Sequence, residues 1–187
     1  MNHNHRAGDS FGARVKKSPG LSADVGIKGR WQITCRNKEG NLKWQDVIEN
    51  LVTNAGLNHL LDVALSGGSQ VTTWYVGLTG TAPEAAPGDT MASHSGWTEV
   101  TAYDESNRVT WTDGGVSNGS VSNAGSAAEF TISTDSTTVG GAFLVSNNTK
   151  GGSTGTLYAV GAFSAGDKSL DDGDSLTVTA TFTAAAA

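Results

Sequence analysis

SLTVTATFT, residues 175–183, is the stretch that decides the fold. Leu176, Val178, Ala180 and Phe182 alternate with Thr177, Thr179, Thr181 and Thr183, and a period of two marks a strand with one face in a core. Its threonine face is left for water or a partner. Shorter apolar runs between turn residues repeat the theme upstream, at 73–79, 97–102, 108–111, 129–132, 141–146 and 157–163. Near the front, Trp31, Ile33 and Cys35 alternate with polar neighbours; the turn NKEGN, residues 37–41, then returns the chain into Leu42-Lys43-Trp44, which reads as a β-hairpin. The total is about eight or nine strands, enough for two packed sheets. The predicted class is therefore mainly β: a two-sheet antiparallel β-sandwich, jelly-roll-like, with one short α-helix and an extended N-terminal arm.

The helix is predicted near residues 54–66. Asn54 is a suitable N-cap, and Leu57, Leu60, Leu61, Ala64 and Leu65 recur at helical spacing as one apolar stripe. Gly67-Gly68 ends it with residues that accept a left-handed backbone. Burying each leucine is worth about 1.5–3 kcal/mol, so the helix is expected to lie across the sandwich as a lid. Long polar loops at 80–95, 113–126 and 147–156 exceed what hairpins require and are the expected interaction surfaces.

With 187 residues the chain has room for one domain, 27–187, and an appendage, 1–26. Charged residues make up 16% of it while glycine occurs 25 times, a balance that suits short strands and tight turns. No apolar run reaches the roughly 18–20 residues of a membrane span and no secretion signal opens the chain, so it is expected to be made and kept in the cytosol. Cys35, the single cysteine, has no partner for an intrachain disulfide. Charge is unevenly placed: residues 1–30 hold six basic and two acidic side chains, and the remainder six basic and sixteen acidic. The arm itself shows no periodicity, contains Pro19-Gly20, and carries Phe11, Val15 and Leu21 as sparse apolar anchors beside Arg14, Lys16 and Lys17. A cationic arm on an acidic body is drawn to an acidic neighbour, a second copy included, and less so as salt rises.

Four stretches carry a resemblance: GNLKWQDVIENLVTNAGLNHLLD, TWYVGLTGTA, GDTMASHSGWTEV and AFLVSNNTKGGSTGTLYAVGAFSAGDKSLDDGDSLTVTATF. Together they resemble a family of small virion-associated structural proteins of tailed bacteriophages, over roughly residues 27–183. The resemblance implies a structural component without catalysis, compatible with a sandwich. The arm ahead of Ile27 departs from the pattern, and its role rests on physical reasoning alone.

Each motif that invites chemistry also has a plainer reading. Asp167, Asp171, Asp172 and Asp174 offer oxygens suited to calcium, but their spacing is not that of an EF-hand, and a solvated turn before the last strand is expected. The run NTKGGSTG, residues 148–155, has the ingredients of a phosphate loop in the wrong order, with Lys150 ahead of the glycines and a strand following. His3, His5, His59, His94 and Cys35 show no zinc spacing; a Cys35 nucleophile with His59 or His94 is the enzymatic alternative. Trp31, Trp44, Trp74, Trp97 and Trp111 would make a sugar platform on one exposed face, though core packing is the ordinary role for tryptophan in strands. The sequons at Asn118 and Asn147 are read as coincidental.

The expectation is a capsid decoration or cement protein, not an enzyme, with no cofactor and no membrane contact. It would bind the major capsid protein as a homo-oligomer on the virion surface after assembly in the host cytoplasm. Phe11, Arg14, Val15, Lys16, Lys17 and Leu21 form the expected contact arm; nucleic acid is a poor partner for it because the body is acidic and the arm has few aromatics. The alternative is a head-fibre or tail component attaching to a host-surface glycan.

Overall fold

The computed structural model describes residues 25–186. The expected contact arm from Phe11 to Leu21 therefore lies outside the described residues. Twelve strands and one α-helix make up the described chain: β1 (Val25–Arg36), β2 (Leu42–Val52), α1 (Asn54–Leu61), β3 (Trp74–Thr79), β4 (Glu99–Val100), β5 (Val109–Trp111), β6 (Ser120–Ser122), β7 (Ala128–Thr131), β8 (Thr137–Val139), β9 (Gly141–Val145), β10 (Leu157–Ala162), β11 (Lys168–Leu170) and β12 (Ser175–Ala186). Ten of them form one curled antiparallel sheet, and β8 and β11 pair in a small second one.

The period-two segment is the middle of this arrangement. β12 pairs with β1 along its whole length, from Val25 opposite Ala186 to Arg36 opposite Ser175. Its other edge is shared by β7, at Ser175–Val178, and β6, at Thr181–Thr183. Leu176, Val178 and Ala180 are fully buried and Phe182 nearly so, as the alternation requires. The hairpin expected at residues 30–44 is also present, but its second strand runs on to Val52. That extension turns the corner of the sheet: up to Asn50, β2 pairs with β1, whereas Leu51 and Val52 pair with β10. Gly29 leaves room there for the Asn50 side chain, which passes over it, and Gly161 leaves room for Ile48 Cγ2 and the Asn50 backbone.

Beyond the corner the order is β10, β9, β3, and the outer edge of β3 is shared by β5 and β4. The curl brings the two flanks together: the Trp111 indole N–H donates to the Ala180 carbonyl at 3.4 Å, and Tyr103 bridges to Ile132. One apolar core, including Trp31, Ile33, Ile48, Leu78, Phe130 and Leu144, fills the concave side. β9 is buried on both faces, because Phe143 and Val145 point away from that core into a second cluster with Met91, Trp97, Leu157 and Val160. Met91 comes from the 80–95 segment, so this expected interaction loop spends part of its length covering a sheet face.

The helix departs from expectation in three ways. Thr53 rather than Asn54 is the N-cap: its hydroxyl accepts from Gly56 N–H at 3.1 Å and donates to the Leu157 carbonyl at 2.5 Å. The α-helical stretch stops at Leu61 and continues as a π-helical turn, Asp62–Ser66, which ends at Gly67 with φ 74° as the glycine pair suggested. The leucine stripe is not buried. Leu57, Leu60 and Leu61 are 38%, 40% and 55% exposed and Leu65 is 80% exposed, so the helix is no lid resting on its leucines.

The reason is steric. Gly56 is the one buried residue of the helix, and a Cβ there would lie 2.5 Å from the Tyr158 carbonyl oxygen. This close approach of backbone to backbone turns Gly56, His59 and Val63 toward the sheet, offset by one residue, about 100°, from the leucine row.

Candidate functional site

Between the inner side of the helix and the sheet lies a half-open apolar groove of about 250 Å³. His59, Leu60 and Val63 form one wall, and Trp74, Tyr158 and Phe182 the floor. The floor is a run of edge-to-face rings. His59 meets Trp74 at 5.5 Å, Trp74 meets Tyr158 at 5.3 Å, and Tyr158 meets Phe182 at 5.2 Å between centroids. Phe182 in turn touches Trp31 and Trp111 at 6.2 and 6.1 Å. Burial raises the Tyr158 phenol above its ordinary pKa, which keeps it neutral. No lysine, arginine, aspartate or glutamate lines the groove, while Asp62, the one charged residue of the helix and its π-helical turn, rests against Gly68 at its end. The lining is thus mostly aliphatic and aromatic, with His59, Gln70 and Tyr158 as its polar members.

The residues that suggested chemistry from sequence are placed apart and given structural work. Cys35 is fully buried beside Leu176 at the far end of β1, whereas His59 is on the helix at the opposite end of the sheet and His94 stacks on Trp97 at 3.7 Å. Burial first, with Asp174 nearby, pushes the Cys35 thiol up to about 11, so it is a poor nucleophile at neutral pH. Of the acidic cluster, Asp174 is buried and takes Lys43 at 2.6 Å together with the backbone N–H of Asp171. Asp167 accepts from Ala82 N–H, and Asp172 N–H donates to Asp135. Among the described residues no three His, Cys, Asp or Glu side chains gather as metal ligands.

Lys150, the lysine of the glycine-rich run, points its ammonium at the carbonyls of Tyr103 and Glu105, at 2.8 and 2.7 Å, and lies over the Tyr103 ring. The same loop is pinned by Arg108, which pairs with both carboxylate oxygens of Glu99 at 2.8 and 2.7 Å and donates to the carbonyls of Asn147 and Gly152. Glu99 completes the clamp by accepting from Gly151 N–H at 3.0 Å. The tryptophans do not share an exposed face: Trp31, Trp97 and Trp111 are buried, and Trp44 and Trp74 pack at the margins of the core. The 113–126 segment, read as a loop, supplies β6.

Groove and leucine row were not legible as a surface in the sequence. The helical period identified the leucines and misassigned their direction; nothing in the sequence joins Trp74, Tyr158 and Phe182, which meet only through strand pairing. No protein-family model matches the chain, and no curated protein or solved structure matches it. Among the described residues no helix is long and apolar enough to cross a membrane.

Proposed function

We propose that the chain is a structural protein of a tailed-phage particle, a decoration or cement protein that binds the assembled shell of major capsid protein as a homo-oligomer. The observation that carries this reading is the uncovered leucine row beside an open aromatic groove, on a body whose other buried charges are hydrogen-bonded or ion-paired. Contiguous apolar surface of this kind is normally met by a partner. The sequence resemblance supplies the class of partner. We read the curled sheet as the two-layer sandwich expected from sequence, with β6, β7, β12 and β1 in one layer, β10, β9, β3, β4 and β5 in the other, and β2 shared. The contact of Tyr158 with Phe182 between the two halves supports that reading. The role is mechanical: many weak contacts between neighbouring subunits add through avidity to resist pressure from within. It requires no catalytic step and no cofactor.

The experiment is quantitative proteomics of purified virions. A copy number comparable with that of the shell subunit is expected, and a small fraction of it would instead assign the chain to a fibre or tail and overturn decoration. Deleting residues 1–24, ahead of β1, is expected to leave a folded body that is washed more easily from expanded capsids. Undiminished retention would remove the arm from the binding mechanism.

A further inference from the structure

We infer that Asn118 is a site of spontaneous modification: it closes on Gly119 to a cyclic imide with loss of ammonia and reopens as aspartate or isoaspartate, and the isoaspartate form releases β6 from the sheet. Asn118-Gly119 is the one Asn-Gly pair in the chain. It forms the tip of a two-residue turn closed by paired hydrogen bonds between Ser117 and Ser120, each 2.9 Å, and both tip residues have positive φ, 50° and 70°. That is the backbone of a type I′ turn, whose central N–H groups stay outside the hydrogen-bonded ring. Among the described residues nothing accepts from the Gly119 N–H, nothing bonds the Asn118 side-chain amide, and both residues are exposed. Nucleophile and electrophile are thus neighbours in water, and residue 119 has no side chain to shield them.

The Gly119 nitrogen gives its proton to solvent and attacks Asn118 Cγ. A C–N bond forms, the Cγ–Nδ2 bond breaks, and Nδ2 takes a proton back from solvent to leave as ammonia. Water then adds to one imide carbonyl, and the bond from that carbon to the Gly119 nitrogen breaks. Opening at Cγ restores an ordinary backbone with aspartate; opening at the main-chain carbon routes the chain through Cβ and Cγ, which lengthens it by one atom. Nothing is oxidised or reduced. Other asparagines are held differently. Asn123 is buried, donates to the Val178 carbonyl at 3.1 Å and accepts from Ala180 N–H at 2.7 Å, while Asn37 and Asn147 accept from the N–H groups of Asn41 and Thr149. Each is followed by a residue with a side chain: Ala124, Lys38 and Asn148.

The longer chain matters because the turn is seated on β12. The Gly119 carbonyl accepts from Ala184 N–H at 2.8 Å, and a Cβ on Gly119 would lie 2.7 Å from the Ala184 carbonyl oxygen. β6 itself is held by only three residues, Ser120–Ser122 opposite Thr183–Thr181. An added backbone atom breaks the register between Ser117 and Ser120 and draws Gly119 away from Ala184. The edge of β12 is then open to pair with another strand.

The test warms the native full chain at mildly alkaline pH in water enriched in heavy oxygen, then cuts it with trypsin. Peptide 109–150 holds Asn118, Asn123, Asn147 and Asn148, so electron-transfer fragmentation compares all four at once. Expected are a gain of about 3 Da, from deamidation with one heavy oxygen, and isoaspartate fragments at position 118 alone, forming faster as hydroxide rises. Asn118 left intact, or converting no faster than Asn123, would overturn the site. Amide exchange on the aged protein should rise several-fold at 120–122 and 181–184. Freshly made Asn118→Asp has the added charge without the longer chain and should exchange like unaged protein. If it exchanges as fast as the aged form, or if ageing leaves exchange unchanged, the release of β6 is refuted. Purified protein suffices throughout, so the result stands apart from the virion reading.

Discussion

Arg108 and Glu99 form the most buried ion pair among the described residues, with side chains 0% and 8% exposed and two parallel hydrogen bonds between them. Arg108→Met would leave a buried carboxylate without its partner, and the expected loss is about 3–5 kcal/mol in urea unfolding. The double variant with Glu99→Leu should recover much of that, because a buried pair contributes little beyond well-packed apolar side chains. Asp46 makes a pH-dependent contribution. Burial alone raises its carboxyl, but donation from the Ser164 hydroxyl and the N–H groups of Val47 and Ala165, with Lys168 at 3.6 Å, holds it below the usual carboxylate range. A depressed folded pKa stabilises above the unfolded value of about 3.9 and is lost as pH falls through the folded one. Asp46→Asn should therefore cost about 1–3 kcal/mol at neutral pH, with the gap to wild type narrowing below about pH 4 in denaturation series. Cys35, held protonated by burial, should resist iodoacetamide in the native protein and react on unfolding.

At the level of elements the helix is informative because its sequence and its placement disagree. If the leucines were buried, Leu61→Ser and Leu65→Ser would each cost the 1.5–3 kcal/mol of a core leucine; at the exposures observed, a change within about 0.5 kcal/mol is expected from thermal melts. Gly56→Ala reverses the usual order, since alanine favours helices by about 1 kcal/mol yet its methyl would meet the Tyr158 carbonyl, so faster exchange of the helix amides is expected. Periodicity reports which residues share a side but not what lies opposite, and that explains what could be read in advance. β12 was legible because a full alternation leaves one solution, and the hairpin because its turn is punctuated. β2 was foreseen only to Trp44, for its inward row, Trp44, Asp46, Ile48 and Asn50, includes polar members, of which Asp46 is hydrogen-bonded by Ser164 and the Asn50 side-chain amide is buried at the corner over Gly29 without a hydrogen-bond partner. β6, β8 and β11 are three residues each, too short for any period to emerge. The groove escaped for another reason: its rings come from β3, β5, β10 and β12, and no local pattern links them.

For the molecule as a whole, the pairing of β1 with β12 joins the first and last described strands, so the central contacts of the sheet are also the most distant in sequence. Folding should be slow for the size, in milliseconds to seconds by stopped-flow fluorescence, because long loops must close before those contacts form. Removing residues 175–187 takes away the strand on which β1, β6 and β7 all depend, and cooperative unfolding should disappear with it. The register that sets Val25 across from Ala186 has a practical corollary as well. Both strand ends emerge side by side at one pole, so a passenger domain fused ahead of β1 or behind β12 would be displayed from the same spot. A short peptide tying the two ends would also permit circular permutation, with new termini cut elsewhere in the loops.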